Sequence, residues 1–275
     1  RPSSWIGGPG GFIVDKTPWE EVSKRYAFVD KMKELRKEVK GKGNLRRFDY
    51  WLNAFEYTKT IAEMNCMRGQ LDLLIDSVEV VEDADAKTQL VKEYVLPLRY
   101  DIARMWEKMM TYMLQHTDTP GEMGTIMNLE QHVRGGEDHH RLPDYVYLYD
   151  KKIEEILGEK LSDDYKTGQE YSGKARIFVP TVRPSLKKGE QLTIKIIVLD
   201  KTDAKEGTLY WRKMGEGSYN KLPLNHINRA VYNVQLPIFE DDVLEYYIKA
   251  ETTEGEMLTW PPTAPELNQT IVVMN

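Results

Sequence analysis

The densest group of side chains that could bind a metal lies in one short segment of the chain. Its members are His132, Glu137, Asp138, His139 and His140. A zinc-protease helix needs His-Glu-x-x-His, which places both histidines on one helix face, and this segment lacks that spacing. Two adjacent histidines after Gly135-Gly136 point in different directions, which is unfavourable for chelating a single ion. The pattern favours a polar loop, and we predict no metal site and no cofactor.

Nucleophilic and acid–base catalysis find no support in the sequence. The Gly-x-Ser-x-Gly motif of serine hydrolases is absent. The single cysteine, Cys66, falls on the apolar stripe of a predicted helix, which indicates a small core residue rather than a nucleophile. A glycosidase is defined by two carboxylates at a fixed separation in space, which a sequence does not reveal. We therefore assign no catalytic residue and expect this chain alone to be non-catalytic.

Three residues are candidates for contact with carbohydrate. Trp260 precedes a proline-rich loop that ends at Pro265, and this loop could present the indole as a platform for a sugar ring. Alternatively, the tryptophan and the prolines only fasten the loop to a β-sheet. Asn128 and Glu130 lie at the end of a predicted helix, where they could line a cleft or simply satisfy each other's hydrogen bonds.

The elements that position these residues change in hydrophobic period near residue 170. Upstream, apolar residues recur every three or four positions, and downstream they alternate. This change predicts an α+β chain of two domains, an antiparallel helical bundle over 17–160 and a β-sandwich over 175–275. A polar linker is predicted at 161–174. Residues 1–16, rich in glycine, are predicted to be a connector from an upstream domain.

Residues typical of helix starts and helix ends, together with apolar stripes, divide the helical half into five predicted helices. The predicted helices are one from Thr17 to about Val39 that stops at Gly41–Gly43, a long one with its stripe from Phe48 to Leu73, a second long one from Val91 to Met113, a shorter one from Thr119 to about His132, and one that ends at Gly158. Capping boxes are predicted at Thr17 and at Thr119. Pro97 should kink or restart its helix.

The β half carries seven strand signals separated by turn residues. The predicted strands are 175–180, 191–199, 208–213, 221–224, 230–236, 244–250 and 270–274. Trp211 is predicted to face the core of the sandwich. Because no cysteine pair accompanies these strands, the nearest class is a fibronectin-type-III or Ig-like sandwich.

Composition limits the partners of the chain. The formal net charge of -6 does not favour binding to nucleic acid or to an anionic membrane. Apolar residues make up 41% and charged residues 30%, which is typical of globular proteins, and no apolar run approaches the length of a membrane span.

Three further segments carry a resemblance, namely Phe48–Tyr57, Thr119–His132 and Thr263–Thr270. They resemble the C-terminal region of large, agarase-like bacterial glycoside hydrolases that degrade polysaccharides. The resemblance implies a non-catalytic accessory portion that buttresses a catalytic barrel upstream in the same polypeptide and contacts polysaccharide. It also implies a periplasmic, extracellular or cell-surface location in a bacterium. It transfers no catalytic residue, because its motifs are not mechanistic.

The alternative is a free-standing surface or extracellular interaction protein, such as an adhesin or a complex subunit. The two hypotheses differ in what they predict for the surface of the helical half. If that half holds a catalytic barrel, Trp5–Phe12 and Tyr145–Tyr149 should contribute to an uncovered apolar face. Burial of these two segments would favour the interaction protein.

Overall fold

The computed structural model describes residues 12–117, 119–129, 145–168, 171, 173–204, 206–240 and 243–274. The chain divides into two compact units, Arg1–Gln169 and Glu170–Asn275, named here the helical unit and the β unit. The predicted α+β class is confirmed, since a helical region is followed by a region of two packed sheets. The division falls inside the segment predicted as a linker.

Seven α-helices occur among the described residues of the helical unit. They are α1 Trp19–Val22, α2 Ala27–Leu35, α3 Lys42–Glu79, α4 Ala84–Leu90, α5 Leu96–His116, α6 Pro120–Asn128 and α7 Asp150–Leu157. Short 3-10 turns at Ser23–Tyr26 and Arg36–Glu38 extend α1 and α2. α3 begins six residues before the predicted stripe, so the Gly41–Gly43 segment that ends one helix also begins the next.

The two long helices α3 and α5 form the centre of this unit, and their apolar stripes meet in one core. α3 contributes residues such as Met64 and Leu71, and α5 contributes Trp106, Met109 and Met113. The methionines at helical spacing are therefore core residues. Because only a short turn and α4 separate α3 from α5, the two helices pack side by side in opposite directions.

Pro97 lies within a continuous helical stretch from Ala84 to His116. Its nitrogen carries no hydrogen, so it cannot donate to the carbonyl four residues earlier. A π-helical turn at Val91–Val95 immediately precedes α5, so the helix is locally wider just before Pro97. The predicted kink or restart takes the form of this local change in helix type.

The predicted helix caps are correct at two of three positions. The capping box at Thr119 is confirmed, because its hydroxyl accepts from the Glu122 N–H and its N–H donates to the Glu122 carboxylate. Gly158 ends α7 in the left-handed conformation, at φ 71°, which glycine adopts without strain. The cap at Thr17 is wrong. The N-cap position is Pro18, and the Thr17 N–H instead donates to the Asp15 carboxylate.

Residues 12–16 are part of the helical unit and pack against α3. They cross α3 at Gly69, where an added Cβ would lie 2.1 Å from the Asp15 carbonyl oxygen. The absence of a side chain at Gly69 thus permits this close approach. Phe12 packs its ring 5.8 Å from Trp106 and 5.2 Å from Tyr145. Residues 1–11 of the predicted connector lie outside the described residues.

The segment Tyr145–Tyr149 is fastened to α3 and is partly buried. Tyr145 and Val146 are buried. The Tyr145 hydroxyl donates to Asn65 Oδ1 at 2.7 Å, and the Tyr149 hydroxyl donates to Asp72 Oδ1 at 2.8 Å. Leu148 is 47% exposed, so the segment is only partly buried and the uncovered patch stays a prediction. The rest of that prediction, at 5–11, lies outside the described residues.

A buried ion pair holds the start of α7 against α5. Arg99 is 0% exposed and donates through Nε and Nη2 to the two Asp150 carboxylate oxygens, at 2.6 and 2.8 Å. Its guanidinium also lies 4.9 Å from the centre of the Tyr147 ring. Further along the chain, Thr167 is buried and the Gly168 N–H donates to the Glu107 carboxylate at 2.6 Å. The first part of the predicted linker is therefore packed onto the helical unit.

The β unit contains ten described strands in two sheets. They are β1 Arg176–Phe178, β2 Ser185–Lys187, β3 Thr193–Leu199, β4 Glu206–Lys213, β5 Asn220–Pro223, β6 Asn225–Asn228, β7 Val231–Gln235, β8 Val243–Glu251, β9 Met257–Trp260 and β10 Gln269–Met274. One sheet has the order β1-β3-β7-β6. The other has the order β2-β10-β8-β4-β5, with β9 paired to β8. All described pairs are antiparallel except β2 with β10.

The seven predicted strands are all present, while β2, β6 and β9 were not predicted. The inner faces of the two sheets form one core, with residues such as Ile196 and Val234 from one sheet and Leu209 and Ile248 from the other. Trp211 is partly buried against this core, and its ring meets Phe239 edge to face at 5.1 Å. Its predicted orientation is confirmed.

Candidate functional site

The outer face of the larger sheet carries the most unusual group of side chains in the β unit. Because Leu209 and Trp211 of β4 point to the core, their neighbours Tyr210 and Arg212 point to the other side of the sheet. The same alternation applies to β8. We define the tyrosine face as the group Tyr210, Arg212, Tyr219, Lys221, Glu245, Tyr247, Lys249 and Asn268.

Three tyrosine rings stand together on this face. Tyr210 of β4 pairs with Tyr247 of β8 across the two strands, and their rings stack with centres 4.7 Å apart and planes 2° apart. Tyr219 meets Tyr247 edge to face at 5.0 Å. Tyr247 is buried between its neighbours, whereas Tyr210 and Tyr219 are half-buried. These contacts fix the rings while leaving two of them accessible to a ligand.

Cationic groups lie close to these rings. The Lys221 ammonium is 5.5 Å from the centre of the Tyr210 ring, and the Lys249 ammonium is 5.9 Å from the same centre. The Lys249 ammonium is also 5.7 Å from the Tyr247 ring centre. These distances are within the range of cation–π attraction. Neither lysine forms an ion pair with a carboxylate among the described residues.

Glu245 organises one end of the tyrosine face. Its Oε1 accepts from Arg212 Nε at 2.6 Å and from the Gly215 N–H at 3.1 Å, and its Oε2 accepts from Asn268 Nδ2 at 2.8 Å. Burial of this carboxyl opposes ionisation, but the three hydrogen bonds outweigh it and hold the pKa of Glu245 below its usual range. The carboxylate is therefore charged and fixed at neutral pH.

Asn268 and Arg212 connect the Glu245 cluster to Tyr219. Asn268 Nδ2 donates to the Tyr219 hydroxyl at 2.6 Å as well as to Glu245, and the Arg212 guanidinium lies 4.2 Å from the centre of the Tyr219 ring. Asn268 Oδ1 is buried and has no hydrogen-bond partner among the described residues. The face thus combines aromatic rings with oriented polar groups, an arrangement that suits a ligand with hydroxyl or anionic groups.

The three residues predicted to contact carbohydrate fall in different parts of the chain. Trp260 ends β9, pairs with Ile248 on the core side of the sheet and packs 5.9 Å from Tyr246. This placement supports the alternative in which Trp260 fastens its loop to the sheet. Asn128 is the exposed last residue of α6 in the helical unit. Glu130 lies outside the described residues, and contact of these residues with carbohydrate stays a prediction.

The predicted polar loop with His132, His139 and His140 also lies outside the described residues. In the part of the chain that the structure describes, no group of three His, Cys, Asp or Glu side chains is placed to hold a metal ion. Cys66 is buried, and burial raises the pKa of its thiol, so it is not an activated nucleophile. Across the described residues, every helix falls short of the combined length and apolarity that crossing a membrane requires.

The helical unit has a second, weaker candidate site, a cleft of about 410 Å³ between α1, α3 and α5. Its lining residues are Trp19, Glu63, Met67, Asp101, Arg104, Met105 and Lys108. Burial raises the pKa of Glu63, while Arg104 is paired with Asp101. Because charges of both signs line the cleft, it does not indicate one class of ligand.

Comparison with known proteins leaves the family open. No family model matches the chain, and no curated protein matches it. Among solved structures, an engineered protein is similar over 49% of this chain at 12% identity and a TM-score of 0.29, and the chain spans only 29% of its length. The likeness is too low to carry an argument about function.

Two further solved structures are similar over about a third of the chain. A structure on T cell activation by the bacterial superantigen toxic shock syndrome toxin-1 has 11% identity and a TM-score of 0.27, over 37% of this chain and 100% of that one. A conjugative transposon lipoprotein from Bacteroides eggerthii has 13% identity and a TM-score of 0.25, over 35% of this chain and 95% of that one. These likenesses carry no argument either.

Proposed function

We propose that this chain is a non-catalytic module that contacts polysaccharide through the tyrosine face of its β unit. The observation that carries the proposal is the fixed group of Tyr210, Tyr219 and Tyr247 beside the Glu245–Asn268 cluster. Aromatic rings supply apolar contact for the C–H faces of sugars, and oriented polar groups supply hydrogen bonds to their hydroxyls. Glu245 is fully engaged in hydrogen bonds, which suits a positioning role and not acid–base chemistry.

We also propose that the sandwich is Ig-like. In Ig domains one sheet has the strand order A-B-E-D, and the other contains C, F and G, with C′ added in the variable type. The orders β1-β3-β7-β6 and β10-β8-β4-β5 follow the same pattern when the strands are matched in chain order. In that correspondence the tyrosine face lies on the G-F-C-C′ sheet.

The wider role that we propose is an accessory portion of a carbohydrate-active hydrolase, located in the periplasm or outside a bacterial cell. This part of the proposal rests on the resemblance of Phe48–Tyr57, Thr119–His132 and Thr263–Thr270 alone. Of the segment Tyr145–Tyr149, Tyr145 and Val146 are buried, whereas Leu148 is 47% exposed. The polysaccharide contact is proposed for the β unit, independently of a barrel.

Affinity electrophoresis tests the proposal. The chain is run through native gels that contain neutral or acidic polysaccharides, and retardation by at least one polysaccharide is expected. Tyr210→Ala should reduce this retardation at least several-fold, because it removes the accessible ring of the stack. The matched control is Tyr94→Ala, which removes an exposed tyrosine of the helical unit and should change nothing. Retardation that Tyr210→Ala leaves intact would refute the proposal, as would no retardation in any gel.

A second candidate function, protein–protein interaction, is favoured by an exposed aromatic cluster on the helical unit. Phe28 is 42% exposed and Trp51 is 57% exposed, and both rings pack against Phe55, at 5.1 and 6.1 Å. Exposed aromatic clusters of this kind are typical of interaction surfaces. Under this alternative, Trp51→Ala should abolish concentration-dependent association measured by light scattering, while Tyr210→Ala should have no effect.

A further inference from the structure

We propose that the tyrosine face binds an acidic polysaccharide, whose sulfate or carboxylate groups are held by Lys221 and Lys249. This inference rests on the proposed polysaccharide contact and adds the charge of the ligand. It depends on two observations, the position of the ammonium groups over the rings and the distribution of charge on the outer face of the sheet.

The positions of the two ammonium groups favour anionic sugars over neutral ones. A neutral sugar gains most by stacking its C–H face on an open aromatic ring. Here the Lys221 and Lys249 ammonium groups lie 5.5 and 5.9 Å from the centre of the Tyr210 ring, so such a sugar would have to displace them. An anionic group needs no such displacement, because it can bind the ammonium groups where they are.

Neither of these two lysines forms an ion pair with a carboxylate among the described residues. Arg212 and Glu245 neutralise each other through a hydrogen bond of 2.6 Å. The acidic residues Glu206 and Glu251 face each other at one end of β4 and β8, so they border the positive region on that side. Charge complementarity therefore favours a polyanion that lies over Tyr210 and Tyr247 and spans both ammonium groups.

Two ammonium groups near one ring suit a polymer better than a single ion. Once one anionic group of the polymer has bound, the next is held at a high effective concentration, which raises the overall affinity. Because the two lysines are exposed or half-buried, salt screens their attraction. Binding should therefore weaken strongly as the sodium chloride concentration is raised.

Three polymers with the same backbone test this inference, namely dextran, carboxymethyl dextran and dextran sulfate of matched length. Binding of the full chain is measured by biolayer interferometry. At least one charged polymer should bind about tenfold or more tightly than dextran. Comparison of the two charged polymers shows whether carboxylate or sulfate is preferred. Lys221→Gln and Lys249→Gln should each weaken this binding about fivefold.

Matched variants exclude general attraction of a polyanion to a folded protein. Lys195→Gln removes an exposed lysine on β3 of the other sheet and should leave binding unchanged. Lys221→Arg and Lys249→Arg preserve the charge and should retain binding, which separates loss of charge from loss of fold. An equal loss in Lys195→Gln would overturn the inference.

The outcomes also separate this inference from the proposed function. If dextran binds as tightly as its charged derivatives, or if only neutral polysaccharides retard the chain in a Tyr210-dependent manner, the preference for acidic polysaccharide is refuted and the proposed function stands. If none of the dextrans binds and no polysaccharide of the electrophoresis panel retards the chain, both fail. Binding confined to acidic polymers and weakened by Lys221→Gln supports both.

Discussion

Glu245→Gln should destabilise the β unit, because the Glu245 carboxylate holds three donors from different parts of the unit. Arg212 comes from β4, the Gly215 N–H from the following turn, and Asn268 from the loop before β10. The glutamine keeps the shape of the side chain but removes the charge. One of its two acceptor positions becomes an NH₂ group, which cannot accept a hydrogen bond.

The expected loss at neutral pH is about 2 to 3 kcal/mol. A hydrogen bond to a charged group contributes about 1.5 to 3 kcal/mol, and removing one partner of a fully buried ion pair costs about 3 to 5 kcal/mol. Glu245 is buried, but the Arg212 side chain is 25% exposed, so solvent compensates part of the lost pairing. The loss therefore falls below the range for a fully buried pair.

The difference between the wild type and Glu245→Gln should shrink in acid. The pKa of Glu245 is lowered in the folded state, so its contribution is complete above the unfolded value of about 4.3 and is lost as the pH falls through the folded value. Protonation of the wild-type carboxyl then removes the charge that the variant lacks at every pH.

Hydrogen exchange of peptides from β4 and β8, measured by mass spectrometry at neutral and acidic pH, reports this local free energy. Glu216→Gln is the matched control, because Glu216 is exposed in a turn and should cost less than about 0.5 kcal/mol. A loss below about 1 kcal/mol for Glu245→Gln at neutral pH would refute the reasoning, and so would a difference that persists unchanged in acid.

Three further substitutions test the packing of side chains within each unit. Asp150→Ala should cost the helical unit about 3 to 5 kcal/mol by hydrogen exchange, because Arg99 is left charged and buried; a loss below about 1 kcal/mol would contradict this. Gly69→Ala should expose residues 12–16 to limited proteolysis, because the added methyl group would collide with the Asp15 backbone. Gly124→Ala is the control and should not change the cleavage, since an added Cβ there meets no atom within 4 Å. Equal cleavage of the two variants would contradict the close approach at Gly69. Trp211→Ala should destabilise the β unit by about 3 to 5 kcal/mol in the same exchange assay, and an unchanged exchange pattern would show that the ring does not pack.

The elements with a strong period could be predicted from the sequence. The stripes of α3 and α5 and the alternation in β3, β4 and β8 are local properties of the chain, set by which side must be buried. Strands β2 and β6 carry no such signal, because β2 has three residues and β6 is exposed along its length. Their pairing depends on partners that are distant in the sequence.

The candidate site could not be predicted, because it depends on strand register. Tyr210 and Tyr247 lie in separate strands, and only the pairing of β4 with β8 places their rings face to face. Asn268 reaches the face from a loop. Trp260 appeared the better aromatic candidate because β9 was not predicted, and the pairing of β9 with β8 turns its ring toward the core.

Nuclear magnetic resonance of the chain with ¹³C-labelled tyrosine rings tests the polysaccharide contact most directly. Ring signals are assigned by single substitutions, and a polysaccharide that retards the chain in electrophoresis is added in steps. The account predicts that the signals of Tyr210 and Tyr219 shift with increasing polysaccharide, while the signal of the exposed Tyr94 in the helical unit does not. Shifts confined to tyrosines outside the tyrosine face, or no shift under conditions where the chain binds, would contradict it.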